Sequence, residues 1–174
     1  MGFRPFFLAG VVAATVLVLL WALCLAGLFS LGGRNMLLWH MHEMLFAFVP
    51  AIVAGFLLTA TQNWTGIRGV HGRHLMLLVA LWFVPRALFL LPDPFAPLVA
   101  LLDLAFLPAL AFSLKPYFDK SGRNRIFYAL LAALWIGNLL WHLEVLGWAA
   151  NTAFVGTGLA VKIIVLMMVI IGGR

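Results

Sequence analysis

Long apolar runs separated by short polar breaks dominate the chain. Six of the runs have the length that an α-helix needs to cross a hydrocarbon core, which is about 20 residues. The breaks carry turn-forming residues such as Gly32-Gly33 and Pro92-Asp93-Pro94, and the ten-residue alternation of membrane strands is not visible. The pattern predicts an all-α, polytopic membrane bundle with six transmembrane helices in a single domain, residues 1–174. The predicted spans are residues 6–29, 37–60, 75–91, 95–114, 126–147 and 152–171.

Composition agrees with a membrane protein, because 66% of the 174 residues are apolar and only 9% are charged. A soluble domain carries about a quarter charged residues, and a disordered chain has low hydrophobicity, so both classes are excluded. The net charge of +6 is better explained by membrane topology than by a nucleic-acid partner. The single cysteine, Cys24, excludes an internal disulfide and a cysteine-based metal framework.

The basic residues predict an orientation. One side of the six-span arrangement holds only Arg34, whereas the other side holds eight basic residues. The positive-inside rule therefore places the N-terminus in the cytoplasm. The eight residues are Arg4, Arg68, Arg73, Lys115, Lys120, Arg123, Arg125 and Arg174.

Ionisable residues within the predicted spans fall at one depth. At about 1.5 Å per residue, they form a layer in the outer half of the membrane. Because ionisable groups are costly in lipid and usually face a bundle interior, the layer predicts a polar or metal-containing site near the outer face. Its members are His40, His42, Glu43, Arg86, Asp103, His142 and Glu144, with Asn138 and Lys162 slightly deeper.

Helical spacing divides this layer further. His40 and Glu43 are three residues apart and share a face, whereas His42 points the other way, so the two histidines serve two sites or their turn is not helical. One arrangement places His40 and His142 on one metal, with Glu43 or Asn138 holding the imidazoles. Imidazole suits haem iron and copper. Arg86 and Asp103 form a structural ion pair, contact a haem propionate or substrate, or line a proton path.

Five sequence segments carry a family resemblance. They are GFRPFF (2–7), LWHMHEM (38–44), GFLLTA (55–60), NWTG (63–66) and GGR (172–174). In this order and spacing they resemble the amino-terminal half of the NnrS family. The WHxHEM block is the most specific of the five, and the others strengthen it by occurring together.

The resemblance implies a multi-pass protein of the bacterial inner membrane that contains haem and copper. It associates the chain with denitrification and with protection against nitric oxide, and it carries over no defined catalysed reaction. By the motif match, His40, His42 and Glu43 take the family's candidate metal positions. His142 and Arg86 are added as candidate cofactor-binding residues from their depth alone.

Length is the main departure from the family, whose members are typically about twice as long, with roughly twelve spans. The chain is therefore expected to be a fragment, or a half-length variant that pairs with a second subunit. Gly156 and Ala160, four residues apart in the last span, are candidates for such packing.

Three functional hypotheses follow. The first is a haem- or copper-binding membrane protein of the nitric oxide response, with His40, His42 and His142 as metal ligands. The second is a small-molecule or proton-coupled transporter, and the third is an assembly subunit whose polar layer only joins helices. The transport path would use Glu43, Arg86, Asp103, His142 and Lys162.

Overall fold

The computed structural model describes residues 3–30, 35–89, 95–120 and 122–173, and within these ranges it contains helices and no strand. The prediction of an all-α helical bundle is confirmed. A π-helical segment, Glu43–Phe48, joins α2 and α3 into one continuous helix, Met36–Thr65, and a 3-10 turn, Gly122–Arg125, precedes α6. The α-helices are α1 (Phe3–Leu25), α2 (Met36–His42), α3 (Val49–Thr65), α4 (Gly72–Leu88), α5 (Ala96–Lys120), α6 (Ile126–Val145) and α7 (Thr152–Gly172).

Five of these helices are long and apolar enough to cross a membrane: α1, the continuous Met36–Thr65 helix, α5, α6 and α7. Helix α4 has 17 described residues, which is the short end of the spanning range of about 17–25. Six crossings with a cytoplasmic N-terminus stay a prediction of the charge pattern.

Helix α5 lies at the centre of the bundle and contacts α3, α4 and α6. Its buried side chains include Phe106, Leu110, Leu114 and Phe118, which form part of the apolar core. Helix α1 packs on α2, the π segment and α3, and turns large apolar side chains such as Leu8 outward. Such outward apolar faces are suited to lipid contact.

Two helices extend further than the sequence predicted. The predicted spans end at residues 60 and 114, but α3 ends at Thr65 and α5 at Lys120. The Thr61 hydroxyl donates to the Leu57 carbonyl at 2.6 Å, and Lys115 pairs with Asp119 one turn later, so these polar residues are compatible with helix. The predicted turns at Gly32-Gly33 and Pro92-Asp93-Pro94 lie outside the described residues.

Helices α6 and α7 form a closely packed hairpin. A Cβ atom on Gly137 would lie 2.8 Å from the Gly156 carbonyl oxygen, so only glycine permits this approach of the two backbones. Gly156 and Ala160 are both buried within the described chain. The expectation that these two residues serve packing against a second subunit is therefore wrong, because both are already buried within the chain, Gly156 against α6.

This close approach predicts different effects for two glycines of α7. Gly156→Ala would place a Cβ against the Gly137 carbonyl, whereas a Cβ on Gly158 meets no atom within 4 Å. We expect Gly156→Ala to lower the free energy of unfolding by about 1–3 kcal/mol, the usual cost of overpacking. Both substitutions raise helix propensity, because alanine favours helix more than glycine does. Gly158→Ala introduces no clash, so it should be neutral or slightly stabilising.

Unfolding of both variants in mixed micelles with increasing SDS, followed by tryptophan fluorescence, measures the difference. Equal midpoints for Gly156→Ala and Gly158→Ala would contradict the packing described here.

Candidate metal centre

Six polar side chains from five parts of the bundle meet in the interior. Each has at most 8% of its surface exposed, in a region otherwise composed of apolar helices. They come from the end of α2, the start of the π segment, α4, α5 and α6. The six are His42, Glu43, Arg86, Asp103, Asn138 and His142.

Asp103 is the centre of this cluster. Its Oδ2 atom lies 3.0 Å from His142 Nε2 and 3.2 Å from His42 Nε2, and it accepts a hydrogen bond from Asn138 Nδ2 at 2.7 Å. Its Oδ1 atom accepts from Arg86 Nη2. One carboxylate thus connects α2, α4 and α6 to α5.

His42 has an oxygen atom opposite each ring nitrogen. Its Nδ1 lies 3.0 Å from Glu43 Oε1, and its Nε2 lies 3.2 Å from both Asp103 Oδ2 and Asn138 Oδ1. A neutral imidazole has only one N–H, so with Nδ1 donating to Glu43 the Nε2 lone pair faces two oxygen lone pairs. That arrangement is repulsive unless a cation lies between them or the ring carries a second proton.

Aromatic rings fix the orientation of His42. The ring centroids of Trp141, Phe89 and Phe46 lie 4.1, 5.0 and 5.6 Å from its own. Trp141 Nε1 also donates to the Leu38 carbonyl at 3.2 Å, which holds α6 against α2. The imidazole is therefore enclosed by rings and is fully buried.

Arg86 balances only part of the negative charge. Its guanidinium pairs with Asp103 and lies 3.6 Å from Glu43 by the Nε–Oε2 distance, which is too long for a hydrogen bond. Those two atoms, Arg86 Nε and Glu43 Oε2, are buried without a hydrogen-bond partner. With neutral histidines, two carboxylates and one guanidinium leave a net charge of −1 in the interior.

The π segment begins at Glu43, directly after His42, so it starts within this polar cluster. The Val49 N–H bonds to the Met44 carbonyl, five residues back, and Trp82 Nε1 donates to the Ala47 carbonyl at 3.0 Å. Pro50 follows the segment, and a proline in a regular helix removes a hydrogen bond and clashes with the preceding turn. The wider turn accommodates this proline, and α4 satisfies a carbonyl of the segment. Such π segments occur often at functional sites.

The donor atoms of His42, His142 and Asp103 fit a single metal ion. One ligand atom from each lies within 4.8 Å of the others, and the three residues are buried. Donors bound at about 2.0–2.2 Å in a tetrahedral arrangement lie about 3.4 Å apart, close to the 3.0 and 3.2 Å found here. Two imidazoles and a carboxylate suit copper, zinc or iron.

The same pair of histidines does not fit a haem held between the rings. Their centroids are 5.2 Å apart with the planes at 72°, and both Nε2 atoms point to the same oxygen of Asp103. A porphyrin has no space between two rings in this arrangement.

A cavity of about 630 Å³ lies next to the cluster, and His142 is part of its wall. Most of the lining is apolar or aromatic, with Phe89 and Trp141 separating it from His42. Asn35 and Glu144 add two polar side chains to the lining. The volume lies in the range of about 300–1,000 Å³ that is typical of ligand pockets.

His40 lies elsewhere, so its predicted pairing with His142 is wrong. Its ring stacks on Trp21 of α1 with centroids 4.0 Å apart, because α2 turns this face toward α1. The two histidines of the motif thus have different surroundings. This agrees with one of the two alternatives that their spacing left open, namely that they serve two sites. His42 is the histidine that meets His142.

Other predicted polar residues also have separate roles. Arg86 and Asp103 form the predicted ion pair. Glu144 accepts a hydrogen bond from the Ala153 N–H at 2.7 Å and so caps the start of α7, while Lys162 is exposed on α7. His74, just outside the predicted span 75–91, lies in α4, and its Nε2 is 2.9 Å from the Ser113 hydroxyl oxygen.

The sequence analysis missed Asp103 as a possible metal ligand. The depth of Asp103 matched that of the histidines, but an ion pair with the nearby Arg86 was the simpler interpretation of this carboxylate. Phe89 and Trp141, which enclose His42, were also missed, because aromatic residues are common throughout membrane spans.

Comparison with known proteins decides the family. The family model described as NnrS protein matches residues 1–174. The chain belongs to the NnrS family. No curated protein and no solved structure matches it significantly. With its spanning-length helices, this NnrS chain is a membrane protein of that nitric-oxide-response family.

Two ion pairs among the described residues of the NnrS chain, one buried and one exposed, should differ in their contribution to stability. Arg86→Met leaves Glu43 and Asp103 buried without their counter-charge, which we expect to cost about 3–5 kcal/mol. Lys115→Met removes a pair whose side chains are 61% and 43% exposed, and its effect on stability should be much smaller because solvent screens the pair.

SDS unfolding midpoints of the two variants test this expectation. A loss of similar size in both would show that the buried cluster does not depend on Arg86.

Proposed function

We propose that this NnrS-family chain is an integral membrane protein that binds copper through His42, His142 and Asp103 and acts in the response to nitric oxide. The observation that carries the proposal is the group of electron-rich atoms that face one another at 3.0–3.2 Å in a buried site. A cation bound among these atoms would be coordinated by all three residues, and family membership favours copper among the metals that suit these donors.

Charge supports a bound cation. The cluster has one negative charge in excess when the histidines are neutral, and an isolated charge in a low-dielectric interior is strongly unfavourable. A single copper ion at Asp103 Oδ2 would offset this charge, by one unit in the cuprous state.

Each neighbouring residue has a defined part in this proposal. Glu43 accepts the Nδ1 hydrogen of His42 and so directs Nε2 toward the ion, as carboxylates commonly do for metal-binding histidines. Asn138 donates to Asp103 and orients its carboxylate. Arg86 holds Oδ1 of the same carboxylate and leaves Oδ2 for the metal.

Bound copper would supply a redox-active centre to which a small ligand can coordinate. The residues around it control access. His142 lines the cavity of about 630 Å³, whereas His42 is enclosed by aromatic rings, so a small neutral molecule such as nitric oxide would approach from the His142 side. The apolar wall favours an uncharged ligand over an ion.

Haem is a separate part of the proposal. The family resemblance implies it, but the two rings of the copper centre leave no place for it between them. His40 is the motif histidine that remains for such a cofactor, since its ring is half-buried and its Nδ1 has no hydrogen-bond partner. We assign the protein to the bacterial inner membrane, with a second subunit or a further segment as the source of any second haem ligand.

Metal analysis of variants tests the copper site. We expect about one copper per purified chain, lost in His42→Ala and in His142→Ala because each removes one of three ligands. Asp103→Asn should weaken copper binding and keep the fold better than Asp103→Ala. His40→Ala is the matched control from the same motif and should retain its copper.

Copper and iron are measured by atomic absorption on protein that elutes as a single species in detergent, together with oxidised and reduced absorption spectra. Copper lost in His40→Ala but kept in His42→Ala would contradict the assignment. Folded protein that takes up neither metal would instead favour the transporter or the assembly subunit. Of the residues expected in a transport path, Lys162 lies on an exposed face, away from the cluster.

A further inference from the structure

We propose that the exposed face of α7 around Lys162 binds a transmembrane helix outside residues 1–174, one that carries a carboxylate near the middle of its span. This inference is independent of the copper centre, since Lys162 takes no part in the polar cluster. It rests on the depth of Lys162, its exposure, and the distribution of acidic residues in the chain.

Lys162 lies in the middle of α7. It is ten residues from each end of the Thr152–Gly172 helix, or about 15 Å along the axis. A lysine side chain near the end of a span can reach the headgroups, but a four-carbon stem does not cover this distance. Its ammonium group would therefore remain among hydrocarbon chains, which is unfavourable.

The side chain is exposed, and the described residues provide it with no hydrogen bond and no ion pair. Charged residues within spans normally face a bundle interior or pair with another group. Arg86 follows this rule here, because Glu43 and Asp103 surround it. Lys162 is a charged residue within a membrane span, and its counter-charge has to come from outside the described residues.

The surface around Lys162 has the form of a helix-packing face. With Lys162 between Gly158 and Val165, the residues Val155, Gly158, Val165 and Val169 follow one another at spacings of three and four along the same side, and all are exposed. A Cβ on Gly158 would meet no atom within 4 Å, so a partner backbone can approach closely one turn from the lysine. Small and β-branched residues at this spacing are typical of helix contacts in membranes. The opposite side of α7, with Gly156 and Ala160, is already packed on α6.

A second copy of this chain does not provide the missing charge. The acidic side chains that the structure describes are each engaged: Glu43 and Asp103 with Arg86, Asp119 with Lys115, and Glu144 with the Ala153 N–H. The fifth acidic residue, Asp93, lies outside the described residues, between two predicted spans. A symmetric contact through this face would instead bring two lysines together. The charge complement therefore points to a helix outside residues 1–174.

Binding of a designed helix tests the proposal. The full chain is reconstituted in phosphatidylcholine vesicles with a dansyl-labelled, leucine-rich transmembrane peptide that has Glu at its central position, or Gln in the control peptide. Energy transfer from the chain's tryptophans, among them the exposed Trp148 beside α7, reports association. We expect the Glu peptide to bind about ten-fold more tightly than the Gln peptide, which is the scale of one interhelical polar contact.

Variants of the chain identify the contact. Lys162→Met should reduce binding of the Glu peptide to the level of the Gln peptide, whereas Lys162→Arg should retain the preference. Val161→Met, at an exposed position beside the face, is the matched control and should behave like the wild type. Equal binding of the two peptides, or a preference for Glu that survives in Lys162→Met, would overturn the proposal.

Two further results would assign the face to another occupant. Self-association of the wild-type chain that is lost in Lys162→Met would indicate a second copy. Rapid modification of Lys162→Cys by a membrane-impermeant maleimide, in a Cys24→Ser background, would place this position in water rather than in lipid. Protection of that cysteine, together with the preference for the Glu peptide, is the outcome that the proposal requires.

Discussion

The buried carboxylate of Asp103 is the group on which the arrangement of the bundle interior depends. A charge in an apolar interior must be compensated, and the compensating atoms come from Arg86 on α4 and from Asn138 and His142 on α6. His42 reaches the same oxygen from the end of α2. Satisfying this one group thus fixes the rotation and axial position of several helices at once, which apolar packing alone specifies only weakly.

The π segment begins with Glu43, the second acidic residue of this network, and Glu43 lies next to His42. His42 and Glu43 are adjacent in sequence and would diverge in direction on a regular helix, yet Glu43 Oε1 lies 3.0 Å from His42 Nδ1. The segment starts at Glu43 and is supported by Trp82, whose indole bonds to the Ala47 carbonyl. The local distortion and the polar cluster therefore stabilise each other, because the helix that supplies Arg86 also satisfies the backbone of the distorted turn.

The sequence was sufficient for the helices and for the depth of the polar residues, because both depend on the number of residues from a span end. It was insufficient for directions around a helix axis. His40 and His42 are two residues apart, and their surroundings depend on where α1 and α6 pack. The periodicity of the sequence carries no information on that packing. Helix ends at Thr65 and Lys120 were missed for a related reason, since polar residues on one side of a continuing helix resemble a loop.

One electrostatic requirement connects the interior of the bundle with its outer surface. In the interior, two carboxylates exceed one guanidinium, so the cluster lacks one positive charge; on α7, Lys162 lacks a negative one. The two deficits cannot offset each other, because Lys162 faces away from the centre on a helix whose other side is packed against α6. A small cation can complete the enclosed site without rearrangement of the helices. The exposed lysine, in contrast, needs a group that arrives in the plane of the membrane, and only another helix brings a carboxylate to that depth.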